Sequence, residues 1–369
     1  KGVTLIITVD LAITNIEEIA YAKTIGVDFI VTDHHLPIHR SALPEDYDGK
    51  GVIVGSQVVP DAVAVINSKQ DVCTYTDDML CGCAVAWKLS CALLSKLRNE
   101  GVSEIVDEKV KVLPIGYEKW MLDLVGISTV ADMVPLVKEN RTLAHFGLKV
   151  LRKTKRAGLL HIFNEQRMRK DLLTEDDIAF TIAPRINAAS RMGEPIQAHM
   201  VLYEKDKDSA EGYARDLEML NNERKAEVKD IVSGLSFGED VYSHDVIVVG
   251  DMSWGPGILG LVAQKIIDET GKPVFVWGQG DDKTQVKGSC RSKGDVHVVE
   301  LMAHVGHEVF SHFGGHEQAG GFSVLVENID KLSASLNDAI NYVDKKDIGN
   351  QEIEADADLT MEEVHEVTF

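Results

Sequence analysis

The short stretch VTDHHLP places one acid and two imidazoles side by side. Asp33, His34 and His35 follow a β-branched run and precede a proline, where a hydrophobic core gains nothing from three polar groups. Asp10 follows another apolar run, and Asp132 follows a third. Carboxylate oxygens and imidazole nitrogens without thiolates suit Mn²⁺ or Mg²⁺ better than structural zinc. These residue types predict a divalent-metal site able to promote an in-line phosphoryl displacement.

Strand and helix patterns indicate how these groups could meet. TLIITVD and FIVTDHH are short β-rich runs, and NIEEIAYAKTIG between them has the apolar spacing of a helix that closes at Gly26. A strand, a helix and a strand form a parallel sheet, and ligands bind at the carboxyl ends of its strands. We therefore expect an α/β fold with all five acid and imidazole groups at adjacent strand ends.

Three further motifs combine arginine or histidine with small residues. APRINAASRM places Arg185 and Arg191 among small side chains, and arginine can bind a phosphate through two N–H groups. KGSCRS and FGGHEQAGGF combine Arg291 and His316 with small side chains and with glycines, whose backbone can approach an anion closely. Each motif has a simpler interpretation, a structural arginine or a tight turn. Considered together, they predict phosphate contacts.

Composition sets the broad class of the protein. With 369 residues, 44% of them hydrophobic and 26% charged, the chain is long enough for two or three domains and typical of soluble globular proteins. No apolar run approaches the roughly 18 residues of a membrane span, so we expect a cytoplasmic protein with no membrane contact. Five irregularly spaced cysteines predict reduced thiols rather than a disulfide framework or a paired zinc site.

The charge distribution is uneven. The formal net charge of −21 would repel a polyanion, but residues 141–170 contain nine Lys or Arg against one Glu. The simpler interpretation of this basic block is a solvated helix face. If the ligand is a nucleic acid, the block could steer it, and this contribution should weaken with salt.

The chain divides into segments of different pattern. Apolar residues recur every three to four positions over 209–235 with charge between them, which predicts one long exposed helix between two domains. A fresh α/β pattern then begins with DVIVVGD, GILGLVAQKIIDETG and KPVFVWG. We predict a first domain over 1–205, a connector helix over 206–238 and a second domain over 239–345. The remainder, 346–369, is either an acidic tail or the start of an oligonucleotide-binding barrel.

Six motifs occur together in an order typical of one family. ITVD, VTDHHLP, STVADMVPL, IAPRINAASRM, GSCRS and FGGHEQAGG have the order and rough spacing of the DHH phosphoesterases, and the chain most resembles that family's bacterial single-strand-specific exonucleases. The resemblance implies a parallel-sheet DHH domain joined by a long helix to a smaller α/β DHH-associated domain. It also implies metal-dependent 5′-to-3′ hydrolysis of single-stranded DNA to mononucleotides, in DNA recombination and repair.

The resemblance assigns roles by motif position. Asp10, His34 and Asp132 would be ligands of Mn or Mg, with two ions in the complete protein. His35 would face the scissile phosphate or the leaving group, and Asp33 would orient its neighbours. The substrate-binding residues would be Arg185, Asn187, Arg191, Ser289, Arg291, Ser292, Gly314, Gly315 and His316. Single-stranded DNA would be the ligand of a monomeric chain, with single-strand-binding protein and a recombination helicase as candidate protein partners.

The chain departs from the family pattern at several points. The family's Asp-x-Asp-Gly motif, which supplies further metal ligands, is expected ahead of residue 1. After Asp10 the family usually has Asn-Gly, whereas this chain has Leu11 and Ala12, and alanine would be strained if the loop requires a positive φ. Gly255 replaces a histidine that is usual after the tryptophan of DMSWGPG.

These departures leave two alternatives to the exonuclease. One is a DHH phosphoesterase acting on short oligonucleotides or cyclic dinucleotides, which the long connector disfavours because such relatives are usually more compact. The other is a catalytically inactive DHH scaffold protein. The replacement after Asp10 favours the scaffold, whereas the retained acid and imidazole groups oppose it.

Overall fold

A computed structural model of the chain describes residues 2–43, 47, 49–101, 104–106, 109–111, 114–235, 244–280, 282–344 and 359–363. The chain forms two compact units. Unit 1 comprises residues 1–190 and 194–221, and unit 2 comprises residues 191–193 and 222–369. No helix among the described residues is both long and apolar enough to cross a membrane. Most of the predicted third element, 346–369, lies outside the described residues.

Unit 1 is built on a three-stranded parallel sheet. Its strands are β1 (Leu5–Val9), β2 (Asp28–Thr32) and β6 (Ala64–Ile66), in the order β1-β2-β6. Helix α1 (Ile16–Thr24) connects the first two and buries Ile16, Ile19 and Ala22. The strands are short and rich in β-branched residues, which favour extended backbone.

Smaller sheets and a set of helices complete unit 1. One antiparallel sheet contains β3 (Ile38–His39), β4 (Gly51–Val54) and β5 (Gln57–Pro60), and another contains β7 (Glu104–Val106) and β8 (Lys109–Lys111). The helices are α2 (Gly82–Asn99), α3 (Leu122–Ala131), α4 (Lys138–Leu151), α5 (Ala157–Glu165), α6 (Glu175–Asp177), α7 (Ala183–Arg191) and α8 (Pro195–Tyr203). A π-helical segment, Ile178–Ile182, joins α6 to α7.

Helix α9 (Lys207–Gly234) begins in unit 1 and ends in unit 2. Its apolar residues follow the predicted spacing, because Ala214 and Leu217 belong to a core of unit 1 and Val228 belongs to a core of unit 2. A helix with a narrow apolar stripe and charge elsewhere gains its stability from such packing.

Unit 2 contains a five-stranded mixed sheet in the order β12-β13-β11-β10-β9. Its parallel pair is β9 (Ile247–Gly250) with β10 (Val274–Gln279), whereas β11 (Gln285–Arg291), β12 (Phe310–Gly315) and β13 (Ala319–Leu325) pair antiparallel. The helices are α10 (Leu259–Thr270), α11 (Val298–Val305) and α12 (Ile329–Ala339). Short 3-10 turns occupy Arg40–Ala42, Tyr117–Met121, Lys170–Leu172, Val326–Asn328 and Ile340–Tyr342. The predicted α/β class, with a parallel sheet first and a smaller α/β unit second, is confirmed.

Candidate metal centre and phosphate-binding face

Two parallel strands of unit 1 end side by side and carry the acid and imidazole groups. Val9, the last residue of β1, pairs with Thr32, the last residue of β2. The N–H of Asp10 donates to the Thr32 carbonyl at 3.0 Å, and the N–H of Asp33 donates to the last carbonyl of β6 at 3.1 Å. The predicted position of Asp10 and of the DHH residues at adjacent strand ends is confirmed.

Asp132 reaches the same place from a helix. The expectation of a strand before it was wrong, because the run forms α3 and Asp132 is the residue that caps its C-terminus. Its N–H donates to the Ser128 carbonyl at 2.9 Å. Helix α3 is buried on more than one side, and its buried residues include Val125, Gly126 and Thr129. Its sequence is therefore almost continuously apolar and lacks the helical periodicity that would distinguish it from a strand.

The carboxylates of Asp10 and Asp132 both face one imidazole nitrogen. Nε2 of His34 lies 3.0 Å from Oδ1 of Asp10 and 3.4 Å from Oδ2 of Asp132. This buried nitrogen makes no hydrogen bond of good geometry to any described residue. One ligand atom each from Asp10, His34 and His35 lies within 4.8 Å of the others. An orphaned nitrogen facing two carboxylates is a donor set that fits a hard divalent cation.

The electrostatics of the cluster agree with this interpretation. The Asp10 carboxylate raises the pKa of His34, against the effect of burial. Burial raises the pKa of Asp132; the charge of His34 opposes that shift and the charge of Asp10 adds to it. Crowding two carboxylates is costly, and a divalent cation between them would remove the cost.

Asp33 holds the DHH loop and is not directed at the cluster. Its side chain is almost fully buried; Oδ1 accepts from the backbone N–H of His34 at 2.7 Å and of His35 at 3.2 Å, and Oδ2 accepts from Ile13 N–H at 2.9 Å. Nδ1 of His35 lies 2.8 Å from the same Oδ1. Burial would raise the pKa of Asp33, but these hydrogen bonds outweigh it and lower the pKa. An ionised Asp33 therefore orients both histidines.

Sequence reasoning missed two residues of this site. Asn67 is buried and its Nδ2 donates to the carbonyl of His35 at 2.8 Å. It directly follows β6, the same signal that identified Asp10. Gly82 begins α2, and a Cβ there would lie 2.3 Å from Oδ1 of Asp10, so only glycine leaves room for the carboxylate. Nothing local in CGC marks that requirement.

The loop after β1 is strained at the candidate ligand. Asp10 has a φ of 67° and Ala12 a φ of 90°, both in the region that favours glycine. The expected strain at Ala12 is therefore present, at about 1–3 kcal/mol for such a residue. Strain of this kind accumulates at functional sites, where the surrounding structure enforces it.

The three polar residues predicted from the α7 motif lie in different environments. Arg185 is buried and pairs with Glu218, and its NH1 donates to the Thr181 carbonyl at 2.8 Å. The structure thus gives Arg185 a protein partner in place of the open phosphate clamp that the sequence suggested. Asn187 is exposed on unit 1. Arg191 is also exposed but belongs to unit 2, where its NH1 donates to the Gly257 carbonyl at 3.1 Å.

The glycine-rich motifs of unit 2 come together in neighbouring strands. Ser289 of β11 pairs with Gly321 of β13, and Gly321 pairs with Gly314 of β12, so the three form one row across the sheet. A Cβ at Gly314 would meet nothing within 4 Å, and one at Gly321 would meet only a carbonyl at 3.8 Å. This row, called the glycine row below, leaves the backbone of Gly314 and Gly321 uncovered next to Ser289, and a ligand could lie on it.

Arg291 lies beside the glycine row. Its NH1 donates to Oγ of Ser289 at 3.1 Å, and a Cβ at Gly260 would approach its NH2 to 2.9 Å. Burial lowers the pKa of Arg291, and the nearby charge of Arg191 lowers it further. Arg291 is held by Ser289 and Arg191 by the Gly257 carbonyl, and an arginine can bind a phosphate through two N–H groups.

The remaining predicted phosphate contacts have mixed exposure. Ser292 is buried, and its Oγ accepts from Gly294 N–H at 3.0 Å. Gly315 pairs with Gly320, and His316 is exposed in the turn that follows, where its N–H donates to the Ala319 carbonyl at 2.8 Å. His316 is therefore accessible, whereas Ser292 shapes the loop.

The basic block does not form one uniform surface. Arg152 and Lys170 donate to the carbonyls of Leu173 and Thr154, and Arg156 pairs with Asp123. These three cations hold helices together. Steering by this segment therefore depends on its exposed cations: Arg141, Lys149, Lys153, Lys155, Arg167 and Arg169.

Comparison with known families matches both units. The model of the DHH family, N-terminal domain, matches residues 3–116, and the DHHA1 domain model matches residues 244–342. The first range contains Asp10 and the DHH loop, and the second contains the glycine row and Arg291.

Individual relatives agree with these family matches. The chain is 33% identical to the single-stranded-DNA-specific exonuclease RecJ of Bacillus subtilis, covering all of this chain and 43% of that protein, and 29% identical to RecJ of Haemophilus influenzae, covering 92% and 56%. A crystal structure of Thermus thermophilus RecJ with Mn²⁺ superposes with a TM-score of 0.70 at 26% identity, over 93% of this chain and 46% of that one. A structure of exonuclease RecJ bound to manganese gives 0.67 at 27%, over 91% and 75%. The chain thus spans about half the length of the curated relatives it matches; it contains a DHH-family N-terminal domain and a DHHA1 domain and is similar to RecJ along its whole length.

Proposed function

We propose that this chain is the nuclease portion of a metal-dependent exonuclease that degrades single-stranded DNA from its 5′ end to mononucleotides, in DNA recombination and repair. One observation carries the proposal: Asp10 and Asp132 face the same orphaned nitrogen of His34. The RecJ relatives are named single-stranded-DNA-specific exonucleases, which supports this substrate.

The residues of unit 1 fit a divalent ion. Asp10, His34 and Asp132 would hold Mn²⁺ or Mg²⁺, because two carboxylates and one imidazole match the preference of these ions for hard donors. A bound ion supplies a water of lowered pKa and neutralises charge on the phosphoryl oxygens. Asp33 keeps the histidines in position because its carboxylate accepts hydrogen bonds from the backbone N–H groups of Ile13, His34 and His35.

His35 is the group of this site best placed to meet the substrate. Its side chain is 59% exposed, while Nδ1 is held by Asp33 at 2.8 Å. That contact fixes the ring with Nδ1–H toward Asp33. In its imidazolium form His35 also carries a proton on Nε2, which could donate to a phosphate oxygen or be transferred to the leaving oxygen.

Unit 2 would bind the phosphate backbone. Ser289 and Arg291 border the open glycine row, and Arg191 adds a second guanidinium close by. Gly314, Gly315 and His316 would contribute backbone and imidazole contacts along the same strands. Because these groups contact phosphate, they would contribute to affinity and not to base preference.

The first experiment is hydrolysis of a 3′-labelled single strand in Mn²⁺, with a duplex of the same sequence as the comparison. We expect shortening of the single strand from its 5′ end, and loss of more than about 100-fold in rate for Asp132→Ala, beyond the 10- to 100-fold typical of groups that only orient a ligand. Asp171→Ala removes an exposed aspartate paired with Arg169 and serves as the matched control.

Three results, from this assay or from its extension to other substrates and a longer form of the protein, would contradict the proposal. Substantial turnover by Asp132→Ala would remove the metal assignment. Faster hydrolysis of a dinucleotide than of a long strand would favour the phosphoesterase of short substrates. Binding of a strand without any hydrolysis, in a longer form that carries an Asp-x-Asp-Gly motif, would favour the scaffold.

A further inference from the structure

A surface pocket of unit 1, separate from the candidate metal centre, combines exposed aromatic and basic side chains. Its volume is about 460 Å³, and its lining includes Trp120, Lys155, Tyr203 and Lys205. The function proposed above makes no use of these residues. Aromatic rings and cations are the two groups that bind single-stranded nucleic acid without regard to sequence.

Both aromatic side chains of the pocket are more than half exposed. Trp120 is 53% exposed and Tyr203 is 64% exposed. Tyr203 is stacked on His199 with ring centroids 5.3 Å apart and an angle of 15°, which braces one side of its ring. Other aromatic side chains of the chain are as exposed, but these two line one pocket together with lysines, an arrangement suited to a flat apolar group such as a base.

The charge available in the pocket is positive. Lys155 and Lys205 are exposed, and neither forms an ion pair within the part of the chain that the structure describes. Two acids, Asp123 and Glu204, also line the pocket, so its three cations Lys155, Arg156 and Lys205 leave a net charge of about +1. Asp123 is buried and pairs with Arg156, while Oε1 of Glu204 accepts the N–H groups of Lys205 and Asp206 at 2.7 and 2.8 Å.

We propose that this pocket binds one nucleotide of a single strand, with the base against Trp120 and Tyr203 and the phosphate at Lys155 and Lys205. Trp120 lies just before α3 and Asp132 just after it, so a ten-residue helix, about 15 Å long, separates the pocket from the metal centre. The pocket would hold the strand at a distance from the scissile bond. In this role it rests on the proposed function.

Binding can be measured without hydrolysis, by the anisotropy of a labelled oligothymidylate in EDTA. We expect Trp120→Ala to weaken binding about fivefold or more, and Trp120→Phe, which keeps a stacking surface, to weaken it by less than about twofold. Lys155→Ala should weaken binding and reduce the slope of log affinity against log salt concentration by about 1. The matched control is Lys153→Ala, which removes the same charge two residues away, outside the pocket lining.

Several outcomes would overturn the proposal. Equal losses of affinity in Lys153→Ala and Lys155→Ala would show that the strand responds to positive charge in general and not to this pocket. Unchanged affinity of Trp120→Ala would show that no base stacks on Trp120. If dTMP alone bound as tightly as the oligomer, with the same dependence on Trp120, the occupant would be a free nucleotide and not a strand. The binding measurement in EDTA involves no metal and no hydrolysis, so a failure of the exonuclease assay leaves it intact.

Discussion

At the scale of single residues, the candidate metal centre depends on a carboxylate that does not face it. Asp33 is 1% exposed and accepts three backbone N–H groups, and these bonds lower its pKa although burial opposes the shift. The chain around it is strained at Asp10 and Ala12. Hydrogen bonds to a buried ionised group are stronger than neutral ones, so Asp33 can hold this strained loop in one conformation.

Asp33→Ala should lower the free energy of unfolding by about 2–4 kcal/mol, because it leaves the N–H groups of Ile13, His34 and His35 without an acceptor. Urea unfolding followed by circular dichroism measures the change. The control is Asp61→Ala, whose surface pair with Lys23 should contribute less than about 1 kcal/mol. Equal effects of the two substitutions would show that Asp33 has no special structural role.

At the scale of elements, Asp132 is positioned by the packing of two helices. Gly126 of α3 and Gly147 of α4 touch backbone to backbone, since a Cβ at Gly126 would lie 2.7 Å from Cα of Gly147. The close contact sets the distance between the helices, and with it the place where α3 ends and Asp132 projects. The carboxylate of Asp132, at the end of the helix, therefore depends on a contact about 1.7 turns away, at about 3.6 residues per turn.

Gly126→Ala should destabilise the chain by about 1–3 kcal/mol through overpacking, and it should also weaken Mn²⁺ binding because it moves the end of α3. Gly212→Ala is the matched control: Gly212 lies inside α9 with nothing within 4 Å of a built Cβ, so alanine there should stabilise by about 0.5–1 kcal/mol. Calorimetric titration with Mn²⁺ and urea unfolding measure both effects. Destabilisation without any change in metal affinity would separate the helix contact from the metal site.

At the scale of the whole molecule, the chain carries two units with separate cores. Phe163 and Leu217 belong to a core of unit 1, whereas Phe275 and Phe310 belong to a core of unit 2. The candidate metal ligands all lie in unit 1, and the glycine row lies in unit 2. A ligand that binds one unit stabilises the folded form of that unit.

Mn²⁺ should therefore protect unit 1 selectively. At a concentration 100 times its Kd, the ion should stabilise that unit by about 2.7 kcal/mol. Hydrogen exchange resolved by peptide should show slower exchange in β1, β2 and α3, with little change in β11 and β13. Asp10→Ala should abolish the effect. Equal protection of both units, or protection that persists in Asp10→Ala, would contradict the assignment of the ligands.

Local pattern was sufficient to predict much of this protein. Strand, helix and strand around ITVD and VTDHH predicted two parallel strand ends, and parallel neighbours necessarily bring the residues after them together. The periodicity of 209–235 likewise predicted the long helix. These features depend on residues close in sequence, whose side-chain spacing reflects the backbone they form.

Burial and the choice of partners depended on contacts between distant segments. Arg185 could have been a phosphate ligand or a structural residue until α9 placed Glu218, 33 residues further along the chain, against it. Asp132 could have followed a strand or a buried helix, because both present continuous apolar runs. The same limit applies to Gly82, whose need for glycine arises only where Asp10 packs on it. Side-chain chemistry is written in the sequence, but the partner that each group meets is set by packing.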